Sequence, residues 1–244
     1  MTSLTPLTSK LPLLRQWFFY VLGVSVLGMG IGFVIGASVG YGPWDIFFSH
    51  FVDLLDSTFL VAQAIVSTGL ALSGYIIRKE WPNNRLIGMA FNAALTGLWI
   101  DITLLLTPLP GLFAYVQLVI GVLGVAAGIN FTRLTMVQNT PLAFQKRLID
   151  EGTPVVMAAF SSTMLQLPPM DFLINAIYEK VRFSYGVVKQ GLDAFILVTS
   201  IIMSTLLPLD YKLGFGTIII IIIIGPSINV TYPFLERLVL RPAN

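Results

Sequence analysis

The chain has 244 residues, 56% of them hydrophobic and only 11% charged, with a formal net charge of +2. A soluble domain carries about 25% charged residues, so this balance, with a mean hydropathy of +0.85, specifies a polytopic membrane protein. So small a net charge gives no case for nucleic acid, the lack of cysteine excludes disulfides and thiolate chemistry, and a single histidine, His50, gives no basis for a histidine metal centre.

The first apolar run, near 17–39, is long and leads into Gly40-Tyr41-Gly42-Pro43-Trp44-Asp45. No small-residue cleavage site follows it, so it reads as a retained membrane helix. Gly28, Gly32, Gly36 and Gly40 fall four apart along it, a stripe that lets helix backbones approach closely. Next comes a segment near 43–55, too short to span a bilayer of about 30 Å. Pro43 suits a first helical turn, where its missing N–H costs nothing. Asp45 in the same turn favours the positive end of the helix dipole. Trp44 is either an interfacial anchor or a ligand-stacking residue, and His50 is expected to be solvated at the outer surface.

Two more spans are expected near 58–77 and 86–106. Gln63 and Ser67 lie one turn apart on the first of these and share a face. Asn92 is mid-helix on the second, where a buried amide needs partners. Asp101, near its outer end, is expected to be solvated. A fourth span near 111–131 carries Gly124 and Gly128, the counterpart of the first stripe, and the first and fourth helices are expected to cross. The stretch 132–168 is irregular, with a charged run at 146–151 and a piece at 154–167 that is re-entrant, the end of a bent helix or, as the alternative to six spans, a seventh span. A second short segment near 169–181 opens on Pro169-Met170-Asp171 and is followed by spans near 184–206 and 214–235. Lys189 and Asp193 lie in the body of the fifth span. Ile218 to Ile224, in the sixth, face lipid or pack.

The two short segments begin 126 residues apart, and that offset also places Thr58 on Ser184, Phe59 on Tyr185, Gln63 on Lys189 and Ser67 on Asp193. An offset of 128 places Gly88 on Gly216, Gly97 on Gly225 and Asp101 on Asn229. This is an internal duplication. With the N-terminus in the cytoplasm and six spans, twelve of the fourteen lysines and arginines become cytoplasmic; Lys212 is outside and Lys189 lies within a span. Three spans per half is an odd number, so the halves have opposite orientation.

Polar residues in a membrane core are costly and commonly functional. Lys189 and Asp193 could be a self-satisfied i, i+4 ion pair. Their correspondence with Gln63 and Ser67 favours a binding face. Helix capping explains Asp45 and Asp171 at least as well as cation or amine binding does. Metalloprotease, nucleophile-elbow and phosphate-loop motifs are absent from the sequence, so neither an enzyme nor ATP-driven transport by this chain alone is expected, and no cofactor or metal is implied.

The run Gly40 to Asp45, the glycine-rich stretch from Gly88 to Asp101, and the second set Pro169, Asp171, Ser184, Tyr185, Lys189 and Asp193 together resemble the YczE/YitT group of bacterial membrane proteins, its YczE branch in particular. Two features depart from that pattern: Leu167-Pro168 stands where the family usually has glycine, and the preceding link is longer. The resemblance implies a multi-pass membrane protein with a possible transport role.

The expected fold is all-α, with about six transmembrane helices in two inverted three-helix repeats, residues 1–109 and 110–244, each with a short Pro-x-Asp half-helix. The expected function is a secondary transporter or facilitator for a small polar solute. Its site would lie between the repeats and be lined by Gln63, Ser67, Lys189, Asp193 and Asn92, with Pro43, Trp44, Asp45, Pro169 and Asp171 on the half-helices. The alternative is a non-transporting scaffold or a substrate-binding subunit of a larger complex. The lipid bilayer, a small-molecule solute and a second copy or other membrane protein are the expected partners. The expected location is the bacterial plasma membrane, with both termini cytoplasmic.

Overall fold

A computed structural model describes residues 13–82, 85–106, 109, 111–136, 168–207, 209–210 and 212–240. The described residues form eight helices and no strands: α1 Leu13–Gly36, α2 Pro43–Leu54, α3 Phe59–Arg78, α4 Arg85–Leu106, α5 Phe113–Met136, α6 Pro169–Lys180, α7 Tyr185–Leu206 and α8 Phe215–Leu240. Six of them, all but α2 and α6, are long and apolar enough to cross a membrane. Large side chains such as Phe18, Ile65, Phe91, Phe195, Ile222 and Phe234 point outward and are exposed. In water that surface would be untenable; in a bilayer it is the lipid-facing surface of a multi-pass membrane protein.

The short helices fall close to the expected 43–55 and 169–181. α5 extends to Met136, into the stretch expected to be irregular, and the expected re-entrant piece at 154–167 lies outside the described residues. α8 continues past 235 to Leu240, through Pro226 and Pro233. In the isoleucine run, Ile218, Ile221 and Ile222 are exposed while Ile220 is buried against Val34, Leu118 and Val122.

α1 and α5 make the most extensive helix contact, and glycine makes it possible. A Cβ on Gly30 would lie 2.5 Å from the Val125 amide nitrogen, and one on Gly23 would lie 2.7 Å from the Phe131 Cβ. Gly124 and Gly128 meet α1 from the other side. The Gly28–Gly32 stripe serves a different neighbour. A Cβ there would strike Thr96, Trp99 and Thr103 of α4. The stripe also ends sooner than expected: α1 stops at Gly36, and Gly40 lies beyond it at φ +129°, a conformation L side chains rarely adopt.

α4 flanks α1 and α3, and α8 flanks α5. α2 packs on α3 and α7, and α6 packs on the same two helices. Arg15 donates to the Leu238 carbonyl, which puts the start of α1 and the end of α8 together. At the other end Gly216 N–H donates to the Val39 carbonyl and Gln117 donates to the Phe33 carbonyl.

Candidate functional site

The short helices are where polar side chains converge. Pro43 occupies the first position of α2, and the Gly42 N–H donates to Asp45 Oδ2 at 3.3 Å. A first-turn carboxylate thus satisfies one of the amide donors that every helix start leaves free. Trp44 reaches α7, its Nε1–H donating to Asp193 Oδ1 at 2.7 Å. The other carboxylate oxygen accepts from Lys189 Nζ at 2.6 Å. Asp193 therefore has one partner on its own helix and one on α2, in a site about three-quarters shielded from solvent (side-chain exposure 28% for Lys189 and 26% for Asp193). It lies roughly 12 Å along α7 from Tyr185, at 1.5 Å per residue, in the N-terminal half of that helix.

Further along α2, His50 is fully buried, contrary to the expectation of a solvated surface residue. Its Nε2 lies 2.8 Å from Ser204 Oγ and 3.2 Å from the Ser200 carbonyl, both on α7. The packing of α2 between α3 and α7 removes the surface that a lone short helix would have offered. At its last turn Asp53 pairs with Lys212, in the link between α7 and α8. α2 thus meets α7 in its N-terminal half and runs to that helix's C-terminal end.

α6 has the same length and the same Pro-x-Asp opening, but its chemistry differs. Pro168 stands where α2 has Gly42. Proline has no N–H, so Asp171 has no amide at that position to accept from. Its two oxygens accept instead from Arg133 Nη2 of α5, at 3.0 and 3.1 Å. Both side chains are almost wholly buried. Capping therefore describes Asp45 and fails for Asp171. At the far end of α6, Glu179 accepts from Arg78 at 2.9 Å. The Arg78 guanidinium also sits 4.7 Å over the Phe172 ring.

Gln63 and Ser67 are buried on α3, with Ser67 Oγ 3.5 Å from Gln63 Oε1. Among the described residues no hydrogen bond or ion pair joins them to Lys189 or Asp193. The two pairs stand on α3 and α7, the two helices that both short helices contact. Asn92 is buried elsewhere and donates to the Tyr20 hydroxyl at 3.1 Å. Asp101 is not merely solvated: it accepts from the Phe59 and Leu60 amides at 2.9 and 3.0 Å, and so caps α3 from α4. Asn229, which the sequence offset pairs with Asp101, is exposed.

The Trp44–Asp193, Arg133–Asp171 and His50–Ser204 contacts are absent from the sequence reading. A carboxylate in the third position of a helix preceded by proline is one signal that could have flagged Asp171 as needing a distant donor.

The family model described as "Family of unknown function (DUF6198)" matches residues 14–143 and 153–233. The chain belongs to this family. It is also similar to the "Uncharacterized membrane protein YczE" of Bacillus subtilis (strain 168), at 27% identity over 232 residues, covering 92% of this chain and 88% of that protein. These two matches place it among YczE-like membrane proteins. No solved structure gives a significant match. The YczE-like match spans both short helices, so the α2 and α6 chemistry lies within the shared region.

Proposed function

We propose that this chain is a secondary transporter or facilitator for a small polar solute, built as two inverted repeats in a bacterial plasma membrane. The observation that carries the proposal is the Trp44–Asp193–Lys189 node. There the first turn of a short helix from one half meets an ion pair in the N-terminal half of a long helix from the other half. Charged groups at that depth mark solute or ion pathways more often than they serve packing. Transporter sites are commonly built where half-helices end near the midplane between repeats.

The helix contacts support the duplication. Exchanging the halves, α1 for α5, α2 for α6, α3 for α7 and α4 for α8, turns the α1–α4 contact into α5–α8, α3–α6 into α2–α7, and α2–α3 into α6–α7; all six are present. The α3–α4 contact, one of the most extensive, is not matched: among the described residues α7 and α8 barely touch, if at all. Each short helix docks on the long helix of the opposite half, and the two run to opposite ends of the bundle.

Reconstitution of the purified chain in liposomes tests the reading, with a mixture of small metabolites offered outside and the lumen analysed by mass spectrometry. At least one polar solute is expected to accumulate or equilibrate. Lys189→Ala is expected to reduce that uptake to the level of empty liposomes while leaving the yield of folded protein intact. Normal uptake by the variant would remove Lys189 from the site. Absence of any uptake, with a second membrane protein co-purifying, would favour the scaffold or subunit role.

A further inference from the structure

A cleft of about 360 Å³ opens between the end of α1, helix α2, the start of α3 and the α7–α8 link. None of the residues lining it belongs to the node at Asp193. Its wall carries the Asp53–Lys212 ion pair, Tyr41 and Ser49, and its apolar side is Phe59 and Leu104. The volume falls in the range of small-ligand pockets, about 300–1,000 Å³, and an apolar wall facing a few placed polar groups is their usual make-up.

Three further features belong to this cleft. Ser38, also in its wall, has φ +54° and ends α1 as a left-handed cap, its N–H donating to the Ile35 carbonyl. Burial first, and the charge of Asp53 second, raise the Tyr41 phenol above its ordinary value, so it is a neutral donor at physiological pH. Ser49 Oγ, buried, donates to the Ile46 carbonyl and keeps its lone pairs as acceptors.

We propose that this cleft binds a small zwitterion carrying an amine and a carboxylate, the ammonium at Asp53 and Ser49 and the carboxylate at Lys212 and Tyr41. The charge count selects the class. Asp53 and Lys212 are the charged residues of the lining and pair with one another at the rim, while Asp210, outside the lining, also acts on Tyr41. A lone anion or cation would have to take one member of the pair and strand the other, and a partly buried charge without a partner is expensive. A zwitterion exchanges one ion pair for two. The short carbon link between its charges lies over Phe59 and Leu104. Because the Asp53–Lys212 pair fastens the last turn of α2 to the α7–α8 link, such a ligand also replaces a direct tie with one through itself. The proposal stands independently of transport.

Thermal unfolding of the purified protein in detergent tests it, with β-alanine and γ-aminobutyrate as probes and propylamine and propionate as single-charge controls. A ligand that binds only the folded state raises Tm with its concentration. A saturable rise of a few degrees is expected with at least one zwitterion, and none with either control. The double variant Asp53→Asn, Lys212→Gln keeps the side-chain sizes and is expected to lose the rise. No rise with either zwitterion overturns the proposal. So does an equal rise in the double variant, which would mark a general osmolyte effect, or an equal rise with a control. Should the double variant fail to fold, modification of Lys212 by an amine-reactive reagent, mapped by mass spectrometry, gives the answer on the unaltered chain. Measured against the exposed Lys79 of the same chain, which corrects for reagent consumed by the zwitterion's own amine, labelling of Lys212 is expected to slow severalfold at saturating zwitterion, and an unchanged ratio overturns the proposal.

Discussion

Helices α2 and α6 begin with the same proline and third-position aspartate and each runs for twelve residues, yet their aspartates keep different company. Asp45 folds back on its own helix start and accepts from the Gly42 amide. Asp171 has no such amide, because Pro168 precedes the helix, and it is held by Arg133 of α5. The first helix is therefore tied to the rest of the protein by Trp44, His50 and Asp53, on its second, eighth and eleventh residues. The second is tied from its opening turn by a buried ion pair. The two helices thus differ in a local cap on α2 and a buried tertiary ion pair on α6. The two helices also differ in depth. α2 reaches the N-terminal half of α7, whereas α6 meets α5 and α3 near their C-terminal ends, at Arg133, Tyr75 and Arg78.

The sharpest way to break this contrast is Arg133→Met. It strands a buried carboxylate, and loss of one member of a buried pair costs roughly 3–5 kcal/mol. The thermal transition in detergent should drop accordingly. Adding Asp171→Leu should recover most of the loss, because the stranded carboxylate is then removed as well. If Arg133→Met is as stable as the parent, the ion pair does not hold α6.

Asp45→Ala should have a smaller effect, about 0.3–1 kcal/mol, the usual worth of a carboxylate in a helix's first turn. The Trp44, His50 and Asp53 contacts remain and keep α2 in place. A loss as large as that of Arg133→Met would show that Asp45 does more than cap, and the two short helices would then be closer in role than their hydrogen bonds suggest.

Much of this arrangement was legible in the sequence. Long apolar runs set the six spans within a few residues, and proline with a third-position aspartate marked both short helices. These are local signals, fixed by backbone chemistry and by the length a bilayer demands. The repeat offset matched Phe59 with Tyr185, and those residues do begin α3 and α7, each buried. What escaped were the partners. His50 read as a surface residue because α2 alone has an exposed face, and only packing between α3 and α7 removes it. Asp101 read as a solvated helix end because the amides it caps lie 41 and 42 residues earlier in the chain. The glycine stripe was visible, but which neighbour each glycine serves depends on rotation about the α1 axis, and Gly28 and Gly30 point to different helices.

The smallest expected effect bears most directly on why the two motifs diverge. Pro168→Gly gives α6 the amide that α2 already has at Gly42. Replacing proline loosens the unfolded chain, at a cost of about 0.4–1 kcal/mol. The new N–H can donate to Asp171, which offsets part of that cost, so the net change should be a small destabilisation. The informative quantity is the coupling. With a local donor available, Asp171 is no longer wholly dependent on Arg133, so Arg133→Met should cost less in the Pro168→Gly background. Residues sharing one partner usually couple by about 0.5–3 kcal/mol, which a double-mutant cycle of thermal transitions can resolve. Strict additivity would mean that the missing amide of Pro168 is not what turned Asp171 toward Arg133. A positive coupling would make Pro168 and the buried ion pair a single feature, in which α6 lacks a local cap and is fastened to α5 instead.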